Sequence, residues 1–135
     1  MILPYIHFQG QCRAALTFYA EVLGGTPEMM SYAQMPDAPE AFANSTRILH
    51  GQLATDGHGT LMASDFPEGF EGDPQKAVSI TITTETADEA RRLYDAFADG
   101  GDPIQPFAAT FFSPGFGMIR DRFGTHWMVM AGGAT

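Results

Sequence analysis

Four histidines, His7, His50, His58 and His126, carry most of the chemistry this sequence offers. An imidazole can ligate a divalent metal or move a proton near neutral pH. His58 lies within Asp56-Gly57-His58-Gly59, a hairpin-turn signal, and is expected in solvent. The other three fall in β-prone runs, where alternation decides which residues share a face. His7 shares its face with Tyr5, His50 with Gln52, and His126 with Met128. One reading is a metal site on His7 and His50 with Gln52 or His126. The plainer one makes each histidine a hydrogen-bonded pocket or core residue.

Other reactive types have less context. Cys12 is the single cysteine, so neither an intrachain disulfide nor a CxxC zinc site is available. It opens a helix, which favours a thiolate, but it sits on that helix's apolar stripe, which predicts a buried, inert thiol. Ser64-Asp65 and Ser113 lack a GxSxG setting, and Asp65 reads as a turn-capping residue rather than a base. Gly115-Phe116-Gly117 is not followed by the GK[ST] of a phosphate loop.

The elements that must hold these residues occur twice. Residues 2–8 alternate, with Ile2, Ile6 and Phe8 on one face and Leu3, Tyr5 and His7 on the other. Residues 12–23 carry a helical stripe of Cys12, Ala15, Leu16, Tyr19, Val22 and Leu23, stopped by Gly24-Gly25. Strands are expected over 29–33, 47–54 and 60–64, with a loop over 34–45. The face of Ile48, His50 and Gln52 opposes that of Arg47, Leu49, Gly51 and Leu53. The pattern then restarts. Val78, Ile80 and Ile82 alternate with Ser79, Thr81 and Thr83. Thr86-Ala87-Asp88-Glu89 is a capping box, and Ala90, Leu93, Tyr94 and Phe97 form the next helical stripe. Gly100-Gly101 end that helix, and strands are expected over 104–108, 117–121 and 126–130. Trp127 alternates away from His126 and Met128, toward the core.

Composition bounds the function. The 135 residues suit one domain, and 44% hydrophobic against 17% charged residues is a globular balance. Eleven Phe and eight Met supply a core and an adaptable pocket lining. A net charge of −9 with seven Lys and Arg argues against nucleic acid and anionic membranes. No membrane-length apolar run and no signal-peptide pattern is seen, so a cytoplasmic protein is expected.

In this order of elements the chain resembles the vicinal oxygen chelate superfamily, the glyoxalase / bleomycin-resistance / dioxygenase fold, and within it the PhnB-like group. The residues that carry the resemblance begin with Pro4-Tyr5-Ile6-His7-Phe8, Gly10, Cys12, Phe18-Tyr19 and Leu23-Gly24. They continue with Met62-Ala63-Ser64-Asp65 and Phe111 through Met130, including Gly115-Phe116-Gly117, Asp121-Arg122-Phe123-Gly124 and Trp127-Met128. The resemblance implies an α+β fold of two tandem βαβββ modules, a curved mixed sheet around a cleft, and a homodimer. One domain is expected over 1–135: module one over 1–66, a linker over 67–76, and module two over 77–131. It also implies one divalent metal, held by His, Gln or Glu, that acts as a Lewis acid on vicinal oxygens. Carried over by position, those ligands fall near Leu3 or Tyr5, on Met62 or Ser64, on Ser79, and on Met128, where a Glu is expected. None is a good ligand for a hard or borderline divalent ion.

The expectation is therefore a protein without the metal tetrad and without a cofactor, binding a small, partly apolar molecule. Its cleft is expected to be walled by Tyr5, His7, His50, Gln52, Ser79, Thr81, His126 and Met128. The alternatives are a metal-dependent lyase, isomerase or dioxygenase using a displaced divalent-metal site, and an interaction module without a ligand. A demethylubiquinone methyltransferase is not expected, because no Gly-rich loop follows an early strand and the order of elements is not doubly wound.

Overall fold

The computed structural model describes residues 1–132. The chain divides into two compact units, one over Met1–Pro74 and one from Gln75 onward. The first unit runs β1 (Tyr5–Phe8), α1 (Cys12–Leu23), β2 (Glu28–Ser31), β3 (Ile48–Ala54) and β4 (Thr60–Asp65). The second runs β5 (Ser79–Thr84), α2 (Ala87–Ala98), β6 (Asp102–Ala108), β7 (Phe116–Arg120) and β8 (His126–Ala131). Each unit is a βαβββ module with its own four-stranded mixed sheet, ordered β1-β4-β3-β2 and β5-β8-β7-β6. The first strand of each runs parallel to the last, and the other pairs are antiparallel. The α+β architecture is thus the one the sequence implies, built on two sheets.

Both helices form because their apolar residues recur at helical spacing, and both bury that stripe against their own sheet. In α1 the buried residues are Cys12, Ala15, Leu16, Tyr19, Val22 and Leu23. In α2 they are Ala90, Leu93, Tyr94 and Phe97. A fully buried Leu or Phe contributes about 1.5–3 kcal/mol relative to an exposed one, so these stripes hold helices too short to persist alone. The two modules share a packing device. A side chain at Gly51 of β3 would run into Leu16, and one at Gly117 of β7 would run into the Tyr94 ring. A glycine in each of these strands therefore lets the helix approach. The Thr86 hydroxyl caps α2 by accepting from the Glu89 amide, while the Glu89 carboxylate takes two hydrogen bonds from Arg92.

Three alternation readings are corrected. Ile2 is 99% and Val78 73% exposed, because each precedes its strand rather than lying in it. Ile48 is fully buried although His50 and Gln52 are not. Met30 pairs with His50 but Ser31 with Ile48, so Leu49 is an extra residue in β3, and this irregularity switches the face of Ile48. The 34–45 loop holds a short 3₁₀ turn at Glu40–Phe42, and Tyr32 lies in another at Tyr32–Gln34, outside β2.

One buried carboxylate ties the first module together. Asp65, 2% exposed at the end of β4, accepts hydrogen bonds from the Gly10 and Cys12 amides through Oδ1. Its Oδ2 accepts from the Ile48 amide. In the second module Asp121 takes the amides of Phe123 and Thr125 and the Trp127 indole N–H. Trp127 in turn stacks on Phe97 with ring centroids 4.3 Å apart.

Removing the Asp65 carboxylate strands the buried amides of Cys12 and Ile48 and leaves that of the exposed Gly10 to water, at roughly 1–3 kcal/mol for each buried unsatisfied group. Asp65→Ala should therefore lower the urea-unfolding free energy by about 3 kcal/mol or more. Asp65→Asn turns an amide N–H₂ against a backbone donor and should cost about 2 kcal/mol. Equilibrium unfolding of both variants checks the order; a loss below about 1 kcal/mol for Asp65→Ala would refute the tie.

Candidate functional site

Because Ile6 and Phe8 point to the core, Tyr5 and His7 stand on the opposite, open face of β1. His50 and Gln52 take the same face of the sheet from β3, and Met62 and Ser64 take it from β4. Register brings them together. Tyr5 is opposite Met62, Met62 opposite Gln52, and Gln52 opposite Glu28, so one row crosses all four strands. His7 is opposite Ser64, and Met30 is opposite His50.

Three rings meet on this face. The Tyr5 ring stacks on His7 at 4.9 Å between centroids and lies 5.6 Å from His50. The Tyr5 hydroxyl is 2.9 Å from His50 Nδ1, and the Ser64 hydroxyl is 3.1 Å from His7 Nδ1. A neutral imidazole has one donor and one acceptor nitrogen. Where Tyr5 and Ser64 donate to Nδ1, the neutral imidazole is the tautomer that carries its proton on Nε2. The rings thus combine apolar bodies with N–H tips.

The row of rings continues past β4, from Phe66 at the end of the expected first module into the expected linker. Phe66 stacks on His7 at 5.4 Å, and Phe70 follows at 5.6 Å from Phe66. Sequence reasoning missed Phe66 and Phe70. The available signal was two aromatic residues four apart, directly after a strand, in a Pro- and Gly-rich stretch. The Ser45 hydroxyl donates to the Glu68 carboxylate at 2.7 Å. That hydrogen bond, with a backbone one and the nearby Arg47, holds the Glu68 carboxyl below its usual range against a smaller opposing effect of desolvation.

The four remaining residues predicted for the cleft lie in the second module. Ser79 is opposite His126 and Thr81 opposite Met128, with Thr81 Oγ1 3.8 Å from Met128 Sδ. Met118 flanks Met128 on the other side. His126 Nδ1 is a buried side-chain nitrogen without a hydrogen-bond partner. The structure therefore gathers Tyr5, His7 and His50 into contact, with Gln52 on the same face. Ser79, Thr81, His126 and Met128 form a patch of their own module.

The positions to which the resemblance carries metal ligands hold Leu3 or Tyr5, Met62 or Ser64, Ser79 and Met128. Thioethers and neutral hydroxyls do not match the imidazole and carboxylate set that a hard or borderline divalent ion prefers. Among the described residues no group of three or more His, Cys, Asp or Glu is gathered to hold a metal ion. Also among them, no helix is long and apolar enough to cross a membrane.

Paired βαβββ modules of this topology define the glyoxalase / bleomycin-resistance / dioxygenase fold of the vicinal oxygen chelate superfamily. The chain belongs to its PhnB-like family, whose model, described as 3-demethylubiquinone-9 3-methyltransferase, matches residues 1–130. It is 26% identical over 138 residues to Protein YjdN of Escherichia coli K12, covering 93% of this chain and 91% of that protein. It superposes on protein PA1353 of Pseudomonas aeruginosa with a TM-score of 0.87 at 37% identity, covering 98% and 97% of the two chains. A Bacillus cereus PhnB protein, described as a putative 3-demethylubiquinone-9 3-methyltransferase, shares the fold at 23% identity and a TM-score of 0.71, over 96% and 98% of the chains.

Cys12 is fully buried, and its thiol is pushed up to about 12 by burial and by the Asp65 carboxylate, with Arg13 opposing. The thiolate is the reactive form. Native protein at pH 8 should therefore not react with a thiol-directed disulfide reagent, whereas protein in denaturant should release one equivalent. Rapid labelling of the native protein would contradict the buried placement.

Proposed function

We propose that this protein binds a small, partly apolar molecule on the open face of its first module, and that it does so without the superfamily's metal tetrad. The observation that carries the reading is the contact cluster of Tyr5, His7 and His50. Ring edges and the thioethers of Met30 and Met62 suit an apolar body, and Met adapts to irregular shapes. The Nε2–H groups of His7 and His50 suit oxygen or nitrogen acceptors on the same molecule. Both Nδ1 atoms are already engaged, which leaves Nε2 as the ring nitrogen for a ligand. Ser79, Thr81 and Met128 give the second module a patch of hydroxyls and a thioether, without the stacked rings of the first.

The family's descriptive name speaks of methyl transfer. The mixed sheets, each with its first strand parallel to its last, differ from the doubly wound sheet that holds nucleotide-like cofactors at a Gly-rich turn. The binding reading is therefore favoured over that name.

The test uses Nile red, a neutral, flat and largely apolar dye. Titration followed by fluorescence should saturate at one dye per chain. Tyr5→Ala should weaken binding about tenfold, equivalent to about 1.4 kcal/mol. Phe111→Ala, at a side chain that is 100% exposed, should leave it unchanged. Unsaturable binding, or loss in Phe111→Ala but not in Tyr5→Ala, would refute the assigned face. Metal analysis of the purified protein tests the second half. Stoichiometric metal that is lost in His7→Ala or His50→Ala would overturn the metal-free reading and favour a metal-dependent lyase, isomerase or dioxygenase.

A further inference from the structure

We propose that residues 66–72 form a latched strap over one end of the His7–Tyr5 stack, with Gln9 as the latch and Phe66 as the residue that positions the His7 ring. Access of ligands to His7 is then set by the strap. That last consequence rests on the binding face proposed above; the strap itself does not.

The segment has no helix or strand, yet it is tied at alternate residues from two directions. From one side, Arg47 Nη1 donates to the Phe66 carbonyl at 2.9 Å, and the Ser45 hydroxyl donates to Glu68. From the other side, a single primary amide makes both ties. Gln9 Nε2 donates to the Phe70 carbonyl at 2.6 Å, and Gln9 Oε1 accepts from the Gly72 amide at 3.1 Å. The Gln9 side chain thus stands in for a neighbouring peptide group, offering one donor and one acceptor in the manner of a sheet partner. Gln9 directly follows β1, so the latch is mounted beside His7 itself. A turn closed by the Phe70 amide on the Pro67 carbonyl brings Phe70 back toward Phe66. Gly72 passes so near the Phe66 ring that a side chain there would run into it. Phe66 is therefore held between the returning chain and the imidazole of His7.

A segment that was only a spacer would need none of these ties, and its aromatic residues would not stack in sequence on a site residue. The tie through Gln9 is also exposed. It can open without disturbing the core, which suits a cover more than a structural brace.

Hydrogen–deuterium exchange of the whole protein reads the latch without any ligand. In Gln9→Ala the peptides spanning 66–72 should exchange about tenfold faster, as expected for the loss of two hydrogen bonds, while β3 and β4 peptides keep their rates. Gln9→Glu retains the acceptor for the Gly72 amide and loses the donor to the Phe70 carbonyl, so its rate should fall between the two. Unchanged exchange over 66–72 in Gln9→Ala would overturn the latch. The ring-current shift of the His7 Cε1–H proton reads positioning. It should move in Phe66→Leu and stay in Phe66→Tyr, which keeps the ring. No change in Phe66→Leu would overturn the positioning role. Nile red should dissociate faster from Gln9→Ala than from the wild-type protein; equal dissociation rates would overturn the access role. Failure of the dye to bind any form would refute the binding face and the access that rests on it, leaving the exchange and ring-current results to decide the strap.

Discussion

The first module depends on the Asp65 carboxylate. Two oxygens answer three amides, the buried ones of Cys12 and Ile48 and that of the exposed Gly10. These amides belong to the turn before α1, to the first residue of α1, and to the start of β3. One side chain therefore fixes where β1 ends, where the helix begins and how β3 enters the sheet. The backbone carbonyl of the same residue accepts from the Tyr32 hydroxyl at 2.7 Å. A buried carboxylate loses several kcal/mol of hydration, which these charge-assisted hydrogen bonds offset. Alternation then does the rest. With Asp65 turned to the core, Ser64 must turn to the open face, where it meets His7. The register of the open face follows from the placement of the anchor.

The second module repeats the plan with different parts. Asp121 answers two backbone amides and an indole at the turn into β8, and the Phe97–Trp127 stack lies where α2 meets the sheet. The glycine beneath each helix, Gly51 or Gly117, is the feature the modules share most plainly. Their open faces diverge. The first carries a stack of Tyr5 and His7 with His50 beside it, and the second carries Ser, Thr and Met with one imidazole, that of His126.

Much of the fold was legible because periodicity reports burial directly. The six buried residues of α1 and the four of α2 are those their spacing predicts. Alternation placed Tyr5 with His7 and turned Trp127 inward. It failed at Ile48, where an extra residue changes the face, and at Ile2 and Val78, which lie before their strands. Periodicity cannot register a bulge or say where a strand begins. The site was legible only by face. That His50 reaches the Tyr5 hydroxyl depends on a strand order that places β4 between β1 and β3, which local pattern does not encode. Phe66 and Phe70 were missed for a different reason. Their placement comes from long-range ties to Gln9, Arg47 and Ser45, and a Pro- and Gly-rich stretch shows none of these. Asp65 was read as a cap, and its part in joining three separate segments emerged only in three dimensions.

The Tyr5–His7–His50 face is the one proposed to receive the ligand. Methionines report on it from both sides of the first sheet. Met30 and Met62 lie on that face, whereas Met29 is opposite Gly51 on the helix side. In protein labelled with ¹³C at the methionine methyls, titration with Nile red should shift Met62 and Met30 and leave Met29 in place. Unmoved Met30 and Met62 signals while other methionines shift would contradict the claim.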